Sequence, residues 1–116
     1  MEDLGGLREK PDIEAIIAFL RTNEGGRTYS CVSGYRPAHL IKDDYLTTGV
    51  HQYKDKIKVL PGESAIGTIT FITPEAYSHC LWEGKTINVQ EGSRIIGYAK
   101  VTKIFNDLLN IKNMVR

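Results

Sequence analysis

The sequence has only two cysteines, Cys31 and Cys80, far apart and in no C-x-x-C pair. That removes the thiolate pairs of structural zinc sites and leaves no disulfide framework to be read. Both are expected as reduced thiols, with burial as their ordinary fate. An excess of charge is also missing: 15 Lys+Arg against 14 Asp+Glu leave a formal charge of +1. No global field therefore attracts nucleic acid or anionic lipid, and any RNA contact has to be local. No run approaches the ~18 apolar residues of a membrane helix, and Met1 to Lys10 lacks the apolar segment of a signal peptide. A cytoplasmic protein with no membrane partner is the expectation. The chain also lacks a G-x-x-x-x-G-K-[ST] phosphate loop, internal repeats and low-complexity tracts. Its histidines, His39, His51 and His79, show no metal-ligand spacing, so neither metal nor cofactor is expected.

What remains is the composition of one soluble domain: 116 residues, 41% hydrophobic and 25% charged. Residues 1–11 carry Gly5, Gly6, alternating charges and Pro11, and read as a lead-in segment. The run IEAIIAFL from Ile13 to Leu20 fits a buried strand or a helix equally well. Turn chemistry then recurs at Gly25-Gly26, Gly34 with Pro37, Thr47-Thr48-Gly49, Pro61-Gly62, Pro74, Glu83-Gly84 and Gly92-Ser93. Short β-branched and aromatic segments lie between these points, the spacing of a small all-β sandwich or barrel.

Two segments show the strand period directly. In KIKVL, Ile57 and Val59 alternate with Lys56 and Lys58, and in TITF, Ile69 and Phe71 alternate with Thr68 and Thr70; each predicts one buried face. Pro61-Gly62 fits a type II turn. Gly92-Ser93 fits a two-residue hairpin loop with glycine first, between KTINVQ and RIIGYAKVTKIF. Gly97 inside that last strand predicts a bulge or a close backbone approach. The domain is thus drawn at residues 12–104, followed by a tail, 105–116. There Phe105, Leu108 and Leu109 have helical spacing and Asn106 is a capping residue, so a short helix docked on the barrel or on a partner is expected.

The residues with chemistry to offer are few. Tyr77-Ser78-His79-Cys80-Leu81-Trp82 places a histidine, a serine and a cysteine together, but chain neighbours do not generally supply a base and a third, orienting group. Tyr77 and Trp82 instead suit a barrel end or an interface, having apolar area with a polar atom. Arg27, Arg36 and Arg94 sit beside glycine turns, where five donors suit either loop carbonyls or a partner's acceptors.

In their order along the chain, these motifs resemble the third, C-terminal domain of the translation elongation factor Tu family. The match runs from an apolar strand into Glu24-Gly25-Gly26-Arg27, then Gly34-Tyr35-Arg36-Pro37, Thr48-Gly49 and Val59-Leu60-Pro61-Gly62-Glu63. It continues through Thr73-Pro74, Glu91-Gly92-Ser93-Arg94, Ile96-Gly97-Tyr98-Ala99 and Val101, covering about Ile13 to Ile104. The resemblance implies a closed antiparallel six-stranded β-barrel. It also implies a face that meets other domains and tRNA, carried here by Arg27, Thr48, Glu91 and Gly92, with Arg36 and Arg94 beside them. Arg27 and Arg36 are then contact residues or forked bridges between loops.

Departures from the family bear on function. These residues hold no nucleotide-binding domain and no second barrel, so neither GTP hydrolysis nor the clamping of aminoacyl-tRNA between domains is expected. Ala38 and Thr73 replace family donors, and Asp43-Asp44 sets two carboxylates where a phosphate backbone would lie. The expectation is a non-enzymatic, free-standing binding module. Its favoured partner is a protein, a translation component or a toxin. The alternatives are tRNA binding on the retained face and an immunity or antitoxin role.

Overall fold

The computed structural model describes residues 10–42 and 45–113. Most of the lead-in, the Asp43-Asp44 pair and the last three residues of the tail lie outside it. Eight strands form: β1 (Ile13–Phe19), β2 (Cys31–Val32), β3 (Ala38–Lys42), β4 (Tyr45–Tyr53), β5 (Lys58–Val59), β6 (Ser64–Phe71), β7 (Thr86–Glu91) and β8 (Arg94–Ile104). Six of them close into an antiparallel barrel in the order β1-β6-β4-β3-β7-β8, while β2 and β5 pair as a separate two-stranded ribbon. Closure leaves the barrel strands no open edge. Among the described residues the only helical segments are single 3-10 turns, and no helix is long and apolar enough to cross a membrane.

The ambiguous run at Ile13 is β1. Its isoleucines suit a pleated surface, and it pairs with β6 on one side (Ile16↔Ile66) and β8 on the other (Ile16↔Lys100). Ile13, Ala15, Ile17 and Phe19 point inward and meet Ile69, Phe71, Ile87, Val89, Ala99 and Val101 in one core.

Three turn readings hold in detail. The Glu63 N–H donates to the Leu60 carbonyl at 3.0 Å, closing a type II turn in which Gly62 has φ +89°. Gly92, at φ +60°, opens the two-residue loop between the paired residues Glu91 and Arg94. At Gly97 both expected features occur: β8 slips register against β7 beside Val89, and a Cβ there would stand 2.6 Å from the Ala18 carbonyl oxygen.

Three other readings are corrected. Thr47-Thr48-Gly49 is not a turn but lies inside β4. Glycine is needed there because a Cβ would come 2.7 Å from an Ile69 methyl and 2.9 Å from the His39 ring. KIKVL is not a five-residue strand with Ile57 inside: only Lys58–Val59 pairs, and Ile57 is 90% exposed. The described part of the tail, residues 105–113, forms no α-helix. Asn106 does cap, accepting the Leu108 N–H at 3.1 Å, but only 3-10 turns, over Asp107–Leu109 and Ile111–Asn113, follow among the described residues. The tail's backbone bonds across to residues 79–81 instead, through Leu108 and Leu109 carbonyls that accept from His79 and Leu81 at 2.8 and 2.9 Å. Leu109 is thereby buried in the core and the tail docks on the barrel.

Candidate functional site

The EGGR turn aims Arg27. A 3-10 turn over Thr22–Glu24 is closed at its start by Glu24, whose carboxylate accepts the Arg21 N–H at 2.9 Å. Gly25 ends it at φ +98°, and Gly26 follows where any Cβ would collide with the Leu20 carbonyl. The chain then runs over the mouth of the barrel. Glu91 comes from the end of β7, two strands from β1 around the barrel, in alternation with the inward-facing Ile87 and Val89. Tyr35, just ahead of β3, supplies the third member.

Arg27 Nη1 donates to Glu91 Oε2 and, at 3.3 Å, to the Tyr35 hydroxyl, and its Cζ lies 4.7 Å above the Tyr35 ring. The Tyr35 hydroxyl donates to the same Glu91 oxygen, and Arg94 Nη2 donates to the other at 3.0 Å. One carboxylate thus serves a phenol and two guanidiniums. The Tyr35 hydrogen bond first, with Arg27 and Arg94, holds Glu91 below the ordinary carboxylate value despite partial desolvation. Burial pushes the Tyr35 phenol upward.

Strand order places the other candidates at this end. Ala38 pairs with Thr48 on one side and Gln90 on the other, so Arg36, Thr48 and the Gly92 loop occupy neighbouring strands and turns. They lie outside the ion-pair cluster. Arg36 is exposed and makes no ion pair with any described residue, whereas Arg27 is a bridge between loops. Thr48 is half-buried, and its carbonyl accepts the Ile72 N–H at 3.2 Å. The Gly92 carbonyl accepts Gln90 Nε2 at 3.0 Å.

Tyr77 is fully buried at the opposite barrel end, its hydroxyl bonded to Thr47 Oγ1 and, at 2.8 Å, to Thr73 Oγ1. It covers that end and presents no interface. Trp82 is 42% exposed, with Lys85 Nζ 4.6 Å from its ring centroid. His79 Nδ1 donates to the Asn110 carbonyl at 3.2 Å and Cys80 Sγ to the Ser78 carbonyl at 3.4 Å. Each is engaged with backbone and not with the other.

The sequence reading missed the most polar part of the interior. His39 and His51 are both fully buried and meet Nε2 to Nε2 at 2.8 Å. His51 Nδ1 lies 2.9 Å from the Tyr53 hydroxyl and His39 Nδ1 lies 3.3 Å from the Thr47 carbonyl. Both histidines occupy inward positions of strands in which Ile41 and Thr47 also face inward. Strand alternation gives that parity, but their meeting depends on the bulged β3–β4 register, which no turn motif announces.

Outside the barrel, the β2–β5 ribbon carries Tyr29, Val32, Ile57 and Leu60 on its strands and flanks. Their exposures are 76, 53, 90 and 44%. Val32 and Ile57 line an open groove of about 620 Å³ with Tyr53, Lys54 and Lys56. Among the described residues, no group of three or more His, Cys, Asp or Glu side chains is placed to hold a metal ion. No protein-family model matches the chain.

Proposed function

We propose that this chain is a non-enzymatic binding module of the elongation factor Tu third-domain type whose partner is a protein. The observation that carries the reading is the apolar ribbon. Four large side chains stand in solvent around only two registered residue pairs, and an exposed apolar group concentrated beside a groove is the usual character of a protein contact surface. The mouth cluster supports the same choice over RNA. Arg27 and Arg94 both engage Glu91, so two of the three turn arginines already have an anionic partner.

The test is affinity capture of the tagged protein from its own cell extract, with and without nuclease, comparing wild type with Ile57→Asp. A stoichiometric protein that survives nuclease and is lost from the variant supports the proposal. Recovery of nothing stoichiometric removes it.

A second reading, tRNA binding, is favoured by one feature: Arg36 is exposed on the end that also carries Thr48 and the Gly92 loop. It predicts affinity that falls steeply with salt and drops in Arg36→Ala. A flat titration at low salt excludes it.

A further inference from the structure

The interior hydrogen bonds have a single direction. The Thr47 carbonyl only accepts, so the His39 proton sits on Nδ1 and its Nε2 offers a lone pair. At 2.8 Å the two Nε2 atoms share one hydrogen, which therefore belongs to His51. Neutral His51 then has a bare Nδ1, which accepts from the Tyr53 hydroxyl at 2.9 Å. From Tyr53 to Thr47 each hydrogen has its acceptor while both histidines are neutral. A further proton is met only if the Tyr53 O–H turns away from His51 and its oxygen accepts, and protonation of both rings sets N–H against N–H, in a site closed to water.

We propose that the His39–His51 pair is an acid-sensitive latch: neutral, it ties β3 to β4 through the core; protonated, it parts and releases the lid that Tyr35, Arg27 and Glu91 form over the barrel mouth. The coupling is direct contact. The Tyr35 ring meets the His51 ring edge-on with centroids 5.8 Å apart. The backbone reinforces it, because the His51 N–H donates to the Tyr35 carbonyl at 2.9 Å and the Gly34 N–H to the His51 carbonyl at 2.8 Å.

The surroundings offer an imidazolium no relief. From β1 comes the Phe19 ring, from β6 the Phe71 ring, and from β3's far neighbour β7 the side of Val89. The titratable groups around the pair are the Tyr35 and Tyr53 phenols and the Cys31 thiol. Asp12 engages the Phe71 N–H and Asn106, Tyr77 meets the pair through Thr47, and Arg27 and Glu91 meet it through Tyr35. Burial accordingly lowers His39 to about 4 and holds His51 well below its ordinary value, with His39 adding to the latter.

The experiment is nuclear magnetic resonance on the wild-type chain between pH 8 and pH 3. Imidazole nitrogen shifts give the tautomers, and hydrogen exchange follows the amides. Expected at neutral pH are an Nδ1–H tautomer for His39 and an Nε2–H tautomer for His51. On acidification, the Gly34 and His51 amides lose protection in the step that protonates the pair, while amides of the β1–β8 ladder stay protected. In His39→Phe/His51→Phe that step is absent between pH 6.5 and pH 3. If the double variant does not fold, the wild-type data still decide. The same tautomer on both rings, protonation of either ring with the mouth amides still protected, or simultaneous loss of mouth and β1–β8 protection overturns the latch.

Discussion

Arg27 and Glu91, 64 positions apart in the chain, form an ion pair across the barrel mouth that also engages Tyr35 and Arg94. This single carboxylate organises the end of the barrel on which the turn arginines converge. It also separates arginines that look alike in sequence, because Arg36 stands outside the cluster.

The first prediction follows from that difference. Arg27→Ala leaves Glu91 and the Tyr35 hydroxyl short of a charged donor at a partly buried site and should cost about 2 kcal/mol. Arg36→Ala should stay within about 0.5 kcal/mol, the range of an uninvolved surface position. Urea unfolding of the two variants beside wild type checks this, and equal losses would show that the lid is not a stabilising unit.

Stability should depend on pH in two windows of the same sign. Between their folded and unfolded pKa values, the buried histidines bind fewer protons folded than unfolded. Their contribution is therefore complete above the ordinary value of 6.5 and is lost as pH falls, for His39 down to about 4. Each histidine contributes a slope of up to about 1.4 kcal/mol per pH unit. Glu14, lowered chiefly by its hydrogen bond to Lys54, and Glu91, lowered chiefly by Tyr35, add stability above 4.5 that disappears below it. Urea midpoints should be level from pH 8 to about pH 6.5, then fall, and fall more steeply under pH 4.5. A midpoint level down to pH 4.5 would contradict the buried neutral pair.

Much of the barrel is legible in the chain because its turns depend on local chemistry. Pro61-Gly62, Gly92-Ser93 and Gly97 each answer to a backbone geometry that few other residues satisfy, so their role survives without knowledge of the rest. Ile57 and Gly49 show the limit. The alternation of KIKVL is genuine, yet Ile57 lies outside because the strand is only two residues long in three dimensions. Gly49 resembles a turn glycine but serves the His39 ring from a neighbouring strand. The site was legible to the same degree. The EGGR and EGSR motifs point to Arg27, Glu91 and Arg94, but which arginine is engaged depends on barrel closure. Closure also brings His39 to His51, and no local pattern encodes it.

Gly97 should tolerate no side chain. Gly97→Ala places a methyl 2.6 Å from the Ala18 carbonyl and 3.2 Å from the Phe19 Cα, both backbone atoms of the paired strand. A loss of about 1–3 kcal/mol is expected from the forced shift, read as a lowered thermal midpoint. An unchanged midpoint would mean that the β1–β8 contact is looser than described.

The docked tail makes a prediction by contrast. Leu109 is fully buried while its neighbour Leu108 is 39% exposed. Leu109→Ala should cost about 2–5 kcal/mol, whereas Leu108→Ala should cost well under that. Equal effects, measured by chemical denaturation, would mean that residues 105–113 do not complete the core.

The most direct test of a protein-binding barrel is nuclease-treated affinity capture with three baits: wild type, Ile57→Asp and Arg36→Ala. The expected result is one stoichiometric protein retained by wild type and Arg36→Ala and lost from Ile57→Asp, with all three baits folded by circular dichroism. Co-purifying tRNA that vanishes on nuclease treatment and is reduced only in Arg36→Ala would contradict it and place function on the arginine-bearing end of the barrel.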